Sequence, residues 1–173
     1  MGEMNHFEGM KIWGYTHLME KIKALVDAWD NAHWEFTLIF EGLSDDDLWR
    51  RPHPKLLSVG ELAGHIAYHE SYFAENGTVD SPLADKRFNY YYDHVDVPVK
   101  LELGVRQVLE EVNKVHEAAK AGIAKVENFD EIVPWRDDLS WYQSLEYRVF
   151  HAAYHCGQAY SVRHLMGHET TDN

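Results

Sequence analysis

Two histidines, His151 and His155, stand four residues apart in the segment His-Ala-Ala-Tyr-His-Cys-Gly-Gln. On a helix this spacing brings both imidazoles onto one face, about one turn apart, where they can reach the same metal ion. The chain contains 12 histidines. Two other pairs share the spacing, His65/His69 and His164/His168. The spacing therefore indicates a metal site, but it needs support from its surroundings.

A catalytic metal usually takes three protein ligands and keeps one position open, so a third ligand must come from a facing helix. The second predicted helix offers His65 and His69. The apolar stripe of that helix does not decide which of the two is the third ligand, although His69 lies somewhat closer to the stripe. His69 is interpreted as a histidine at the edge of the core or as an outer partner of the site. His164 and His168 straddle a predicted helix end, where polar side chains suit the exposed carbonyls.

Cys156 is the single cysteine. An internal disulfide and a four-thiolate zinc site are therefore excluded, and any metal must use nitrogen and oxygen ligands. Cys156 falls within the apolar stripe of its helix, which favours a packed core thiol over a nucleophile.

Four amphipathic stretches, at 16–42, 58–76, 101–126 and 140–166, must position these side chains. They predict an all-α protein, a four-helix bundle. Ser58 with Glu61 and Ser140 with Gln143 match the capping box that opens a helix, and Gly167 suits a C-terminal cap. The connection at 77–98 is long for neighbouring antiparallel helices, which predicts a crossover between the second and third helices.

The composition limits the domain organisation and the partners that can be expected. With 173 residues, of which 45% are hydrophobic, the chain is expected to form a single domain over residues 1–173. A formal charge of −13 argues against nucleic acid and against anionic membranes as partners. The first residues lack the basic region and apolar run of a secretory signal, and no stretch approaches about 18 uninterrupted apolar residues. These features predict a cytoplasmic protein.

Arg148 and Gln158 lie on the same helix face as the paired histidines. Gln158 could orient a ligand or a bound water, and Arg148 could hold an anionic substrate group near the metal or form a salt bridge to another helix. Glu70 points about 140° away from His65 on its helix, so it is a poor base for the same ion. If Glu70 is buried, we expect it to accept a hydrogen bond from an imidazole.

Three segments resemble the DinB-like superfamily of metal-binding four-helix proteins in their order and spacing. They are Leu43-Ser-Asp-Asp-Asp-Leu48-Trp-Arg-Arg-Pro52, Ser58-Val-Gly-Glu-Leu-Ala-Gly-His65, and His151-Ala-Ala-Tyr-His155-Cys-Gly-Gln158 followed by Arg163-His-Leu-Met-Gly167. The resemblance implies that the metal ligands are His65, His151 and His155. The chain departs from the family at Cys156, where members often carry arginine.

Three neutral imidazoles leave the charge of a divalent ion uncompensated, which suits the activation of a water or a thiol. Zinc or nickel is the expected metal. The resemblance implies either hydrolysis of a small-molecule substrate or transfer of a low-molecular-weight thiol to one. No carboxylate shares the histidine face within one turn, which favours thiol chemistry.

Two other classes of function remain open. In one, the bundle binds a metal or a small ligand without catalysis and acts as a sensor or a scaffold. In the other, it is a structural partner protein without metal. The aromatic side chains Tyr147, Phe150 and Tyr154 lie off the core stripe, and such a surface predicts a homodimer, which is compatible with every one of these functions.

Overall fold

The computed structural model describes residues 6–90 and 96–169, with side chains from residue 17 onward. In these two ranges five α-helices follow one another: α1 (His6–Leu38), α2 (Asp45–Leu48), α3 (Val59–Ser71), α4 (Val105–Ile123) and α5 (Trp141–Leu165). Within the described ranges the β-structure is limited to an isolated bridge between Ile132 and Ser140. The predicted all-α class is confirmed.

The helix starts at α3 and α5 follow directly from local sequence. The hydroxyl of Ser58 accepts from the backbone amide of Glu61, and the hydroxyl of Ser140 accepts from that of Gln143. In both capping boxes the side chain of the later residue accepts in return from the backbone amide of the serine. Gly167, with φ at +90°, follows the end of α5 in the left-handed region that glycine adopts without strain. All three predicted caps are confirmed.

The other helix boundaries differ from the predicted ones. Helix α1 begins ten residues earlier than predicted and ends at Leu38. Helix α2 was not predicted at all, because four residues are too few to show a periodic pattern. Helix α4 begins at Val105 rather than 101, where the backbone amide of Val105 donates to the Asp45 carboxylate at 2.7 Å. The backbone amide of Gly104 also donates to the side chain of Gln107 at that start, whereas the contact across sixty residues is one that local periodicity cannot reveal.

Among the described residues, helices α1, α3, α4 and α5 pack around the core. Helix α1 contacts α4 and α5, and α3 contacts the same two helices. The side of the core nearest α3 contains Leu62, Ile66, Val112 and Cys156. Residues 91–95 of the connection between α3 and α4 lie outside the described residues, so the four-helix count and the crossover stay predictions, as does the single domain over 1–173.

Two glycines on α3 let neighbouring segments lie close to that helix. A Cβ on Gly60 would come within 2.7 Å of the Trp49 ring, and one on Gly64 within 2.4 Å of the Phe88 ring. Both aromatic side chains therefore pack directly on the helix backbone. This close packing brings the connection that follows α3 to the level of His65.

A buried carboxylate holds the same connection to α3. Glu61, 1% exposed, accepts two hydrogen bonds from the Arg51 guanidinium, at 2.6 and 2.7 Å. It also accepts from the hydroxyl of Tyr90 and from the backbone amide of Val99. Burial alone would raise the pKa of Glu61, but these donors outweigh it and hold the pKa below its ordinary value.

Among the described helices, none combines the length and the apolar character needed to cross a bilayer.

Candidate metal centre

Three histidines from two helices converge in the core. His65 comes from α3, and His151 and His155 come from α5. One ring nitrogen of each lies within 4.8 Å of those of the other two, and the Nε2 atoms of His65 and His151 are 3.1 Å apart. The ring centroids of His65 and His155 are separated by 4.5 Å. The residues that sequence reasoning assigned as ligands therefore lie together.

His65 is oriented by the backbone of the connection after α3. Its Nδ1 lies 2.8 Å from the carbonyl oxygen of Phe88, and because a carbonyl only accepts, Nδ1 carries the hydrogen. The lone pair of His65 is therefore on Nε2, the atom that faces the other histidines. Gly64 makes this possible, since a side chain at that position would displace Phe88.

His155 is oriented by its own helix. Its Nδ1 donates to Oε1 of Gln158 at 2.7 Å, which again leaves the lone pair on Nε2. The amide nitrogen of Gln158 donates to the hydroxyl of Tyr154 at 3.0 Å, and this bond fixes which end of the amide faces the ring. Partners of this kind commonly set the tautomer and direction of metal-binding histidines.

His151 has a different neighbour. Its Nδ1 lies 3.3 Å from Nη1 of Arg148, and because a guanidinium only donates, Nδ1 of His151 is the acceptor. Arg148 is itself buried, with 5% of its surface exposed. The predicted salt bridge from Arg148 to another helix is not formed with any described residue.

All three imidazoles are electrically neutral at pH 7. Burial, together with the neighbouring His155, lowers the pKa of His65 to about 4. Burial is also the largest cause that lowers the pKa of His151, followed by the charge of Arg148, and burial lowers the pKa of His155. Neutral imidazoles are the form that binds a metal ion.

The donor set fits a divalent transition metal. Zinc–imidazole bonds of about 2.0–2.1 Å at tetrahedral angles place two ligand nitrogens roughly 3.4 Å apart. The 3.1 Å between the Nε2 atoms of His65 and His151 lies near this separation. Three imidazoles without a thiolate or a carboxylate suit zinc and nickel among other ions.

A comparison with protein-family models gives a match over residues 21–159, to the DinB superfamily. The chain belongs to the DinB superfamily. A comparison with curated proteins gives no significant match. The resemblance carried by the His65 segment and the His-x-x-x-His-x-Gly-Gln segment is thereby confirmed at the level of the family, and the group of three histidines that could hold a metal is present in this DinB chain.

His69 lies beside the three histidines without joining the group. Its ring centroid is 4.6 Å from that of His65 and 5.0 Å from that of His151. Its nitrogens fall outside the set that could share one ion. This position agrees with the interpretation of His69 as an outer neighbour of the site.

Cys156 and His168 have structural positions in this DinB chain. Cys156 is 6% exposed within the core, and burial raises the pKa of its thiol to about 11, so it is not a thiolate at neutral pH. His168, just beyond α5, lies 3.0 Å from the carboxylate of Asp47. The packed core thiol predicted from the sequence is confirmed.

Glu70 belongs to a second buried group on the other side of α3. Its carboxylate accepts from the indole of Trp29 at 2.6 Å and from Nδ1 of His116 at 3.2 Å. Nε2 of His116 lies 2.9 Å from Asp30. Burial would lower the pKa of His116, but the two carboxylates outweigh it and raise that pKa above its ordinary value. Glu70 thus accepts from an imidazole, as expected, and takes no part at His65.

His33, Glu70 and His116 lie close enough together to be considered as a second metal group. The rings of His33 and His116 are stacked at 3.7 Å with an angle of 7° between their planes. Lone pairs in two parallel planes do not converge on one point, so this arrangement is unsuited to a shared ion. We interpret it as an imidazolium held between carboxylates.

An open pocket of about 690 Å³ lies at the C-terminal end of α3. Its walls include the aromatic residues Tyr72, Trp135 and Trp141. The three histidines are not part of its lining. The chemistry of the donor set, rather than the size of this pocket, therefore locates the candidate site.

Sequence reasoning missed the backbone carbonyl of Phe88, which orients His65. A carbonyl has no sequence signature, and its position depends on how the connection folds. The one available signal was the pair of glycines on α3, Gly60 and Gly64, because glycine inside a helix lowers stability unless close packing requires it.

Proposed function

We propose that this DinB-superfamily protein is a metal-dependent enzyme that activates a thiol or a water toward a small-molecule substrate. The observation that supports the proposal is the orientation of the ligands. Phe88 and Gln158 hold Nδ1 of His65 and of His155 and leave the lone pairs of these two histidines on Nε2, within a group whose ring nitrogens could share one ion. Partners that set the tautomer in this way are typical of metal-binding histidines.

When bound, a divalent ion at His65, His151 and His155 supplies a Lewis acid that lowers the pKa of a water or a thiol. The protein residues hold the ligand set in place and keep it neutral. Three neutral ligands leave the charge of the ion undiminished. Gln158 is a positioning residue, because it acts through His155.

We propose thiol transfer ahead of hydrolysis, with a low-molecular-weight thiol as co-substrate. A water nucleophile needs a general base, and among the described residues no carboxylate joins the three-histidine group. The buried carboxylate of Glu70 is held by Trp29 and His116. A thiol has a much lower pKa than water and depends less on such a base.

Elemental analysis by mass spectrometry tests the metal site. About one transition-metal ion per chain is expected in the wild-type protein, and a loss in His65→Ala and in His155→Ala. His53→Ala is the control, since His53 is exposed and does not belong to the three-histidine group. Absence of metal from the wild type after incubation with zinc and nickel, or equal metal in all variants, contradicts the proposal.

A thiol titration then separates the two chemistries. Cobalt-loaded protein is mixed with cysteine, and a new thiolate-to-metal absorption band is expected, with turnover of electrophilic substrates only when thiol is present. Turnover of hydrolase substrates without thiol would favour the water reaction instead. Metal binding with no turnover and a melting temperature that depends on metal would favour the non-catalytic bundle.

We also propose a homodimer formed through α5. Tyr147, Phe150 and Tyr154 are exposed by 52%, 61% and 52%, and neighbouring rings contact one another at about 6 Å. Light scattering of the wild type and of Phe150→Ser tests the proposal. A dimer mass that the substitution reduces supports it, and a monomer mass for the wild type contradicts it.

A further inference from the structure

Arg148 is a buried cation without a carboxylate partner among the residues that the structure describes. It is 5% exposed, and its hydrogen bond among the described residues is the one from Nη1 to His151. Its Nε is buried and has no partner. A buried charge costs free energy unless it is paired, so a guanidinium left in this condition indicates a ligand that supplies the missing acceptors.

Two other arginines in the core have more acceptors within the protein. Arg51 donates two hydrogen bonds to the Glu61 carboxylate. Arg163 donates to the carbonyl oxygens of Ile39 and Glu169, although its Nε, like that of Arg148, is buried without a partner among the described residues. Arg148 differs from both because its one acceptor is a ring nitrogen of a candidate metal ligand.

Ligation of a metal through Nε2 of His151 changes the role of the opposite nitrogen. A neutral histidine that gives its Nε2 lone pair to a metal carries its hydrogen on Nδ1. Nδ1 of His151 then becomes a donor, and it faces Nη1 of Arg148, which is also a donor, across 3.3 Å. An acceptor that both groups can share would resolve this conflict, and an anionic oxygen suits both.

The surroundings of Arg148 select among anions. The guanidinium carbon lies 5.4 Å from the centroid of the Phe73 ring. Phe73 also belongs to the wall of the 690 Å³ pocket, together with Tyr72 and Trp141. Arg148 is not itself part of that lining, but its guanidinium lies over Phe73, so a ligand that reaches Arg148 past this wall meets aromatic surfaces next to its charged group. Burial lowers the pKa of Arg148 to about 10, so it remains a cation at neutral pH.

We propose that Arg148 binds the carboxylate group of a small acid with an aromatic or apolar body, and that this acid is the substrate held beside the three histidines. Two oxygens in one plane match Nε and a neighbouring Nη of a guanidinium. A single negative charge balances a single buried cation, whereas a phosphate dianion would leave one charge unpaired. The role as substrate rests on the function proposed above, but the binding of the acid does not.

Calorimetric titration with benzoate tests the subsite. Benzoate is expected to bind the metal-free protein, and benzamide, which has the same shape without the charge, roughly tenfold more weakly or worse. Arg148→Met should reduce benzoate affinity by about tenfold or more, and Arg148→Lys should restore part of it, since lysine keeps the charge but loses the fork. Loading with zinc should tighten benzoate binding in the wild type.

The melting temperature separates a binding role from a structural one. Arg148→Met removes an unpaired buried charge and is expected to leave the melting temperature unchanged or raised. Arg51→Met is the matched control, because it leaves the buried Glu61 without its cation and should lower the melting temperature. A large fall in the melting temperature of Arg148→Met, together with an unchanged benzoate affinity, overturns the proposal. Equal binding of benzoate and benzamide overturns it as well. Tighter binding of inorganic phosphate than of benzoate also overturns it.

Failure of the subsite and failure of the proposed enzyme give different results. His155→Ala is expected to lose the metal but to keep its benzoate binding. That binding should still depend on Arg148. If the wild type binds no metal and that Arg148-dependent binding persists, the enzyme proposal fails and the carboxylate subsite stands. If the protein binds metal and turns over thiol but Arg148→Met leaves the benzoate affinity unchanged, the subsite proposal is wrong.

Discussion

The ring of Phe88 lies so close to the backbone of Gly64 that a Cβ there would come within 2.4 Å of the ring. The carbonyl of the same Phe88 accepts the hydrogen bond that orients His65, the next residue after Gly64. The close packing of a glycine is thus connected directly to the direction of a candidate metal ligand.

Gly64→Ala is expected to lower stability by about 1–3 kcal/mol, because the aromatic ring must move to admit a methyl group. The displaced carbonyl would no longer hold Nδ1 of His65, so metal affinity should fall as well. Thermal melts and metal titration measure the two effects. Gly157→Ala is the control: it lies inside α5 with open space around it, and alanine there should be neutral or stabilising by up to about 1 kcal/mol. Equal effects of the two substitutions would contradict the role assigned to Phe88.

Gln158→Leu is expected to weaken metal binding by about 10–100-fold, the usual cost of losing the partner that orients a ligand histidine. Its side chain is exposed, so the melting temperature of the metal-free protein should hardly change. Gln143→Leu should affect stability rather than metal affinity. Gln143 accepts from the backbone amide of Ser140 at the start of α5, far from the histidines. We expect it to lower stability by about 1 kcal/mol and to leave metal affinity intact. A metal affinity unaffected by Gln158→Leu would show that His155 needs no such partner.

Glu61→Gln is expected to destabilise the protein by about 3–5 kcal/mol, since it leaves the guanidinium of Arg51 buried without its countercharge. Chemical denaturation measures the change. The side chain of Glu110 is 62% exposed in its pair with Arg106, and Glu110→Gln should cost less than about 1 kcal/mol. A small effect at Glu61 would mean that this network does not hold the connection after α3 in place.

His116→Gln should remove a pH-dependent part of the stability. The folded pKa of His116 is raised above its ordinary 6.5, so its contribution is fully present below about pH 6.5 and is lost as the pH rises through the folded value. The pKa of Glu70 is held below its ordinary 4.5 by His116, although burial opposes this, so the contribution of Glu70 is lost as the pH falls through its folded pKa. The difference in unfolding free energy between wild type and variant should be largest near pH 5–6 and should shrink above it. A difference independent of pH would show that His116 is neutral in the folded protein.

The agreement between sequence and structure is closest where information is local. The capping serines Ser58 and Ser140 fix the starts of α3 and α5, because each satisfies amides within three residues of itself. The pairing of His151 with His155 likewise depends on one helical turn. The start of α4, by contrast, depends on Asp45 as well as on the local bond from the amide of Gly104 to Gln107, and the contact with Asp45 has no local pattern.

The sequence by itself determined the all-α class, the helix starts at α3 and α5, the family and the three histidines that lie together. The class and the helix starts follow from periodicity and capping chemistry, in which each residue acts on neighbours along the chain, whereas the family and the choice of His65 follow from the resemblance of short motifs. The tertiary structure alone decided that Phe88 orients His65, that Arg148 is buried beside His151 without a carboxylate, and that Glu70 faces His116. The first and the last of these contacts join segments that are far apart in the sequence, and they form only when the helices pack. The position of a carbonyl group and the absence of a countercharge are properties of the packed core.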